Sequence, residues 1–288
     1  MNLKEEARMS ISIVTNTQAQ NAQRNLGRTQ FRLAKSLSRL SSGMRINSAA
    51  DDAAGLAISE KLKSQIRSMH QAERNANDGI SLLQVLEGSM GEISGMLTRM
   101  RELSVQAGSD TIGAAERTFI QNEISDLRDE VDRIAEVTEF NGTRLIDGSA
   151  TNLVFQVGVQ NTTNDRIQVN IDDMHSSQIG SGAGSQLSAI DVTTITGAQK
   201  ALDILDDSIN DVSAARARVG AYTNRIQVAI QNLGTARENL SAANSRIRDV
   251  DVASESAELT KQNILMQAGV SVLAQANQAP SIALSLIG

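Results

Sequence analysis

The chain has 288 residues, 40 % of them hydrophobic but only 2 % aromatic, with one proline, no tryptophan and no cysteine. The cysteine count excludes disulfides and thiolate metal sites, and a net charge of −6 with a sequence pI near 5.1 argues against a nucleic-acid partner. So little aromatic mass suits a thin helical bundle filled by Leu, Ile, Val, Ala and Met better than the pocketed core of an α/β enzyme, and a single proline leaves helices uninterrupted.

The N-terminus, Met1-Asn2-Leu3-Lys4-Glu5-Glu6-Ala7-Arg8, has no apolar segment of the kind a cleaved secretory signal requires. Met9 opens a stretch, Ser10-Ile11-Ser12-Ile13-Val14, that reads like a natural start. Residues 1–9 are therefore read as a non-native extension, with translation beginning at Met9; the alternative is a genuine short polar extension, and mass spectrometry of the mature protein separates the two. Further on, Leu26, Leu33 and Leu40 recur every seven residues, with Leu37 and Met44 expected on the same seam. That spacing predicts an amphipathic helix, ended by a break at Arg45-Ile46-Asn47-Ser48. Asp51-Asp52 then suits the positive N-terminus of a new helix.

Leu82, Leu86, Ser89, Ile93, Met96, Met100 and Leu103 form the next helical seam, and Ile120, Ile124, Leu127, Val131, Ile134 and Thr138 another. Gly108-Ser109-Asp110-Thr111-Ile112-Gly113 joins them with turn residues, so the two helices should be antiparallel neighbours. Asn141-Gly142 and Asp147-Gly148 signal turns. Leu153, Phe155, Val157 and Val159 then alternate with other residues, as do Ile167, Val169 and Ile171, which predicts a β-hairpin around residues 140–180. Ile179-Gly180-Ser181-Gly182-Ala183-Gly184-Ser185 reads as a flexible linker.

The longest run keeps its three- and four-residue spacing from Leu202 to Ile247 without a slip, a helix of about 70 Å. Arg216, Thr223, Arg237 and Asn244 are its polar seam positions, expected to set register or lie at the seam's edge. Near the C-terminus Leu259, Met266 and Leu273 repeat the heptad, with Val270 beside them. A terminal helix of this kind is marginal alone in water. Its obvious partner is the helix at the other terminus and, beyond that, other copies of the chain.

The residues that chemistry would need are not arranged for it. His70 and His175 fall in different predicted elements, with His70 on a charge-rich helix surface. No His-Glu-x-x-His or Gly-x-Ser-x-Gly occurs, and the glycines near position 180 are not followed by Lys-Ser or Lys-Thr. The pairs Asp51/Asp52, Asp172/Asp173 and Asp206/Asp207 suit helix starts and loops. With no apolar run of about 18 residues either, the expectation is a non-enzyme with no cofactor, no metal, no nucleic acid and no membrane insertion.

Two long blocks carry a resemblance. Residues 38–56, Ser-Arg-Leu-Ser-Ser-Gly-Met-Arg-Ile-Asn-Ser-Ala-Ala-Asp-Asp-Ala-Ala-Gly-Leu, resemble the N-terminal signature of bacterial flagellins. The block Ser245-Arg246-Ile247-Arg248-Asp249-Val250-Asp251, followed by Gln267-Ala268-Gly269 and Leu273-Ala274-Gln275-Ala276-Asn277-Gln278, is similar to their C-terminal signature. Asn75-Ala76-Asn77-Asp78-Gly79 and Glu139-Phe140-Asn141-Gly142-Thr143 fit the same family. The resemblance implies a mostly α fold, an elongated helical bundle with a small β-hairpin region and without the large outer surface domains of many members. Residues 10–47 with 249–288 would form an inner, channel-lining coiled coil and residues 48–248 a rod. Leu26, Leu33, Leu37, Leu40, Met44, Leu259, Met266, Val270 and Leu273 would carry self-assembly, and Arg45, Ile46, Asn47 and Ser48 would connect the domains. The implied function is a filament subunit for swimming motility, exported unfolded by the flagellar type III pathway to the extracellular filament. Implied partners are copies of itself, an export chaperone, the filament cap and hook–filament junction proteins. Arg99, Leu103 and Glu123 match positions implicated in lateral packing and in binding by the host's flagellin-sensing Toll-like receptor. The rival readings are a hook–filament junction protein and a secreted, monomeric helical binding protein.

Overall fold

The computed structural model describes residues 15–180 and 186–287, with side chains up to residue 278. The proposed extension 1–9 therefore lies outside the described residues. Helices carry most of the chain: α1 (Thr17–Ser42), α2 (Ala53–Ala107), α3 (Ala114–Val137), α4 (Ile195–Arg248) and α5 (Val252–Ile287). Between α3 and α4 lie the short strands β1 (Glu139–Phe140), β2 (Thr143–Arg144), β3 (Leu153–Gln156) and β4 (Arg166–Val169). Two compact units result, a central one from Ser64 to Asn239 and a terminal one from the residues up to Lys63 and from Leu240 onward. The expected boundaries followed the helix breaks, at 47/48 and 248/249. The units instead part inside α2 and α4, because the first turns of α2 and the last of α4 bond to each other: Ser59 Oγ donates to Asn244 Oδ1 at 2.7 Å and Arg248 Nη1 to Glu60 Oε1 at 2.6 Å.

In the central unit the sequence periodicities become one core. Leu83, Leu86, Met90, Ile93, Leu97 and Met100 of α2 are buried with Ile124 and Val131 of α3 and with Leu205, Val212 and Ile226 of α4. The α2–α3 connection is the expected turn, and Arg117 closes it by donating from Nε to the Ala107 carbonyl and from Nη2 to that of Ser109, both at 2.9 Å. The first of these satisfies a carbonyl that the end of α2 leaves open. The polar positions of α4 divide as their chemistry dictates. Arg216 pairs with Glu87 (2.7 Å) and Arg237 with Glu73, so both reach across to α2. Thr223 bonds back to the Val219 carbonyl. His70 is exposed, as expected, beside the Arg237–Glu73 pair.

Among the described residues the strands make two antiparallel hairpins where one was expected. β3 and β4 pair in the register Leu153↔Val169 to Gln156↔Arg166. The second, β1 with β2, turns through Asn141 (φ 50°) and Gly142 (φ 76°), both left-handed, as a two-residue hairpin requires. Strands of two residues are too short to alternate visibly, so only their turn was legible. The β3–β4 hairpin sits on α2 at a glycine. A Cβ on Gly79 would stand 3.0 Å from the Phe155 ring, so this helical glycine is the surface on which the ring rests.

One expectation needs correction. The linker was read as beginning at Ile179, but Ile179 is buried and Gly180 N–H donates to Asp211 Oδ2 at 3.0 Å. Ser176 is likewise held by Asp132, through its N–H and hydroxyl at 2.7 and 2.8 Å. Apolar burial and these bonds fasten the segment through Gly180; residues 181–185 lie outside the described residues.

Candidate functional site

The terminal helices α1 and α5 pair antiparallel. Arg39 Nη1 meets Glu255 Oε2 at 3.5 Å near one end, Leu26 faces Gly269 further along, and Asn16 Nδ2 donates to the Ala276 carbonyl at 2.8 Å near the other. Asn16 also caps α1, its Oδ1 accepting from Ala19 N–H, while left-handed Gly43 (φ 70°) ends the helix. On α1 the sheltered stripe is Ala19, Ala22, Leu26, Thr29, Leu33, Ser36 and Leu40; on α5 it is Glu255, Leu259, Gln262, Met266, Gly269, Leu273 and Ala276. Both keep strict alternating spacing of three and four.

Leu37 and Met44, expected on this seam, are elsewhere, and Val270, expected beside the α5 heptad, faces away from α1. Leu37 is 60 % exposed, because the position between Leu33 and Leu40 that faces α5 is 36, filled by Ser36. Val270 is 54 % exposed, because Gly269 holds the equivalent place on α5. Met44 lies beyond the end of α1, its backbone bridging to Asp249 and its sulfur accepting from Arg248 Nε. Leu26, Leu33, Leu40, Leu259, Met266 and Leu273 stand where the spacing put them. Ser36, Gln262 and Gly269 were missed: small or polar residues do not register in a search for apolar repeats, although strict three-four spacing from the leucines points to them.

The break at 45–48 is a bonded joint. Arg45 N–H donates to the Arg248 carbonyl at 2.6 Å and its Nη2 to that of Ile247 at 2.7 Å, while Val250 N–H donates to Gly43 O at 3.0 Å. Ile46 is buried, in contact range of Gly55, where any Cβ would collide with Ile46 and Asp52. Asn47 Nδ2 reaches Ser38 and Ser42. Asp51 gathers the joint: its Oδ2 accepts from the N–H groups of Asn47 and Ser48 and from the Ser48 hydroxyl, and its Oδ1 meets Lys35 Nζ at 2.7 Å. The Lys35 ammonium, then the Ser48 amide, hold the Asp51 carboxyl far below the usual carboxylate range. Asp52 caps α2 by accepting from Gly55 N–H, the helix start that the acidic pair predicted.

The pair leaves apolar side chains uncovered on its other sides: Phe31 (72 % exposed), Leu37, Ile264 (60 %), Leu265, Val270 and Val272. Within the seam, Gln262 is buried and its Nε2 donates to Glu258, but its Oε1 has no hydrogen-bond partner among the described residues. Among those residues there is also no group of three or more acidic or histidine side chains placed to hold a metal, and no helix long and apolar enough to cross a membrane.

Comparison with known proteins agrees with this geometry. The bacterial flagellin N-terminal helical region matches residues 13–151 and the C-terminal helical region residues 202–287. A flagellin of Halalkalibacterium halodurans is 44 % identical over 94 % of this chain and 98 % of its own length. A flagellin of Bacillus subtilis is 46 % identical over 88 % of this chain and 92 % of its own. The chain belongs to the bacterial flagellin family. Flagellins are structural subunits of the flagellar filament, not enzymes. The structure of a putative flagellar hook-associated protein from Vibrio parahaemolyticus aligns with 69 % of this chain and all of its own at a TM-score of 0.60, but at 15 % identity it shares the fold alone.

The second flagellin surface expected from the sequence is only partly a surface. Arg99 and Glu123 are exposed and paired across α2 and α3 at 2.9 Å, with Glu102 also on Arg99 at 3.2 Å. Leu103 is 2 % exposed, buried in the subunit's own core between the helices. Its place on the apolar seam of α2 decides this: it follows Met100 at the spacing that points inward.

Proposed function

We propose that the α1–α5 pair is the self-assembly module of this flagellin, the inner coiled coil through which copies of the chain stack into the filament, while the remaining helices form its rod. The observation that carries this is the apolar surface the pair leaves uncovered after its own seam is formed, above all Phe31, Leu37, Ile264 and Val272. Burial of such side chains is the main favourable term in association, and a non-closing contact between identical copies generates a helical filament rather than a ring. Family membership supports, as part of the same proposal, export in an unfolded state through the flagellar type III pathway, with an export chaperone, filament cap and junction proteins as partners, and a final place outside the cell. Deleting about 30 residues from either end should leave a folded central unit that no longer polymerises. Electron microscopy showing normal filaments from either truncation would sink the proposal.

Receptor engagement at the α2–α3 surface is proposed for the exposed Arg99 and Glu123, with Leu103 acting through packing. Reporter cells that stay silent with saturating monomer would reject it.

A further inference from the structure

The leucine heptads of the terminal pair do not by themselves say where along α5 the helix α1 closes. Leu26, Leu33 and Leu40 repeat at the same seven-residue interval as Leu259, Met266 and Leu273. Sliding one helix by a heptad, about 10 Å, returns each α1 leucine to a position between two large side chains of α5. α5 has 36 residues against 26 in α1, so such a slip costs little overlap.

The positions between the leucines break that degeneracy. On α5 they are Glu255, Gln262, Gly269 and Ala276, and only one is glycine. Leu26 lies on it: a Cβ added at Gly269 would stand 3.3 Å from Leu26 Cδ1. A larger side chain there must displace Leu26 or part the helices. Gly27, next along α1, has nothing within 4 Å of its own Cβ position and faces away. A heptad slip would set Leu26 on Gln262 in one direction and on Ala276 in the other. Glycine inside a helix is unfavourable for its backbone entropy, and this contact supplies a reason for it. The joint holds only one end of the pair, since Leu26 lies about 25 Å along α1 from Gly43.

We propose that Gly269 is the register-determining residue of the terminal pair: it is the socket that admits Leu26 and holds the half of the pair remote from the joint closed in one alignment. The proposal rests on reading α1 and α5 as the assembly module.

The full chain contains no cysteine, so an introduced pair reports on one distance without background. Ala19→Cys with Ala276→Cys places that pair on the seam, where Asn16 bonds both residues' backbones. Oxidation is followed in assembled filaments and in free subunits. An intrachain bridge changes mobility at monomer mass and is thereby separated from links between copies. The bridge should form readily with Gly269 in place. Gly269→Ala should lower its yield slightly and Gly269→Leu about tenfold or more, a loss that overpacking of a fitted contact produces. Adding Leu26→Ala to Gly269→Leu should restore it. An unchanged yield in Gly269→Leu overturns the proposal, since the joint alone would then set the alignment. So does a failure of Leu26→Ala to restore the bridge while circular dichroism shows the helices intact. Filament formation by the same variants is scored separately by sedimentation. A lost bridge with normal filaments supports the register assignment and counts against the assembly module, whereas lost filaments with an unchanged bridge do the reverse.

Discussion

The central unit and the terminal pair are built from helices of similar regularity, yet they bury different material. Along α2, Leu83, Leu86, Met90, Ile93, Leu97 and Met100 are almost wholly removed from water. Among the described side chains of α1 and α5 the buried ones are Ser36, Gln262 and Ala276, with the leucines of the seam only half-covered. A helix packed on two others and a hairpin is covered on most of its circumference. A helix with a single partner is covered along one stripe, and dense packing there is limited by geometry rather than by sequence. The central unit thus closes a full core within one copy, although Phe119, Val105 and Val228 stay exposed on its surface, while the terminal pair has no such core and keeps most of its apolar surface uncovered.

The sharpest way to break this comparison is truncation of equivalent leucines. Leu97→Ala should destabilise the central unit by about 2–5 kcal/mol through lost transfer energy and a cavity, measured by urea denaturation. Leu33→Ala, half-covered, should cost the free subunit only about 1–2 kcal/mol. Equal costs would erase the distinction between a finished and an unfinished core. A smaller effect separates two glycines of α2. Gly79→Leu should cost about 1–3 kcal/mol by overpacking against Phe155, whereas Gly88, with open space around it, should tolerate leucine and gain about 0.5–1 kcal/mol of helix propensity. Thermal unfolding of the two variants decides whether the close approach at Gly79 is real.

At the joint, Asp51→Asn should cost about 1–2 kcal/mol, the worth of hydrogen bonds to a charged group at a partly exposed site. The sign of its pH dependence follows from the direction of the shift. A carboxyl held below its unfolded value contributes stability that is fully present above the ordinary carboxylate range and is lost as pH falls through the native value. The gap between wild type and Asp51→Asn should therefore be widest near neutrality and close in strong acid. Smallest of all for the isolated subunit should be Leu37→Ser or Ile264→Ser, within about 0.5 kcal/mol in denaturation. Their effect should instead appear in sedimentation as a clear loss of filaments, and filaments at wild-type yield would remove these side chains from the assembly surface.

Much of the fold was legible because its repeats are long. The α4 seam ran without a slip, Asp51-Asp52 marked a helix start, and Asn141-Gly142 marked a turn whose flanking strands were too short to show alternation. The candidate site was legible at its leucines and misread beside them. Leu37 and Val270 look apolar enough to be seam residues, and Ser36 and Gly269 do not. Neighbouring positions on a helix differ by about 100° in direction, so assigning Leu37 rather than Ser36 to the seam turned that part of the surface inside out.

By itself the sequence determined the helices, their breaks, the absence of cofactor-binding motifs and, through its long signature blocks, the family resemblance, because each is written in local spacing or in residue type. Which of two adjacent residues meets the partner helix, that Leu103 belongs to the core, and that the 45–48 break is a bonded joint around Asp51 were decided only in three dimensions. Those outcomes depend on what a second, distant segment offers to each side chain, and a glycine such as Gly269 acquires its role only when a leucine from the other end of the chain comes to rest on it.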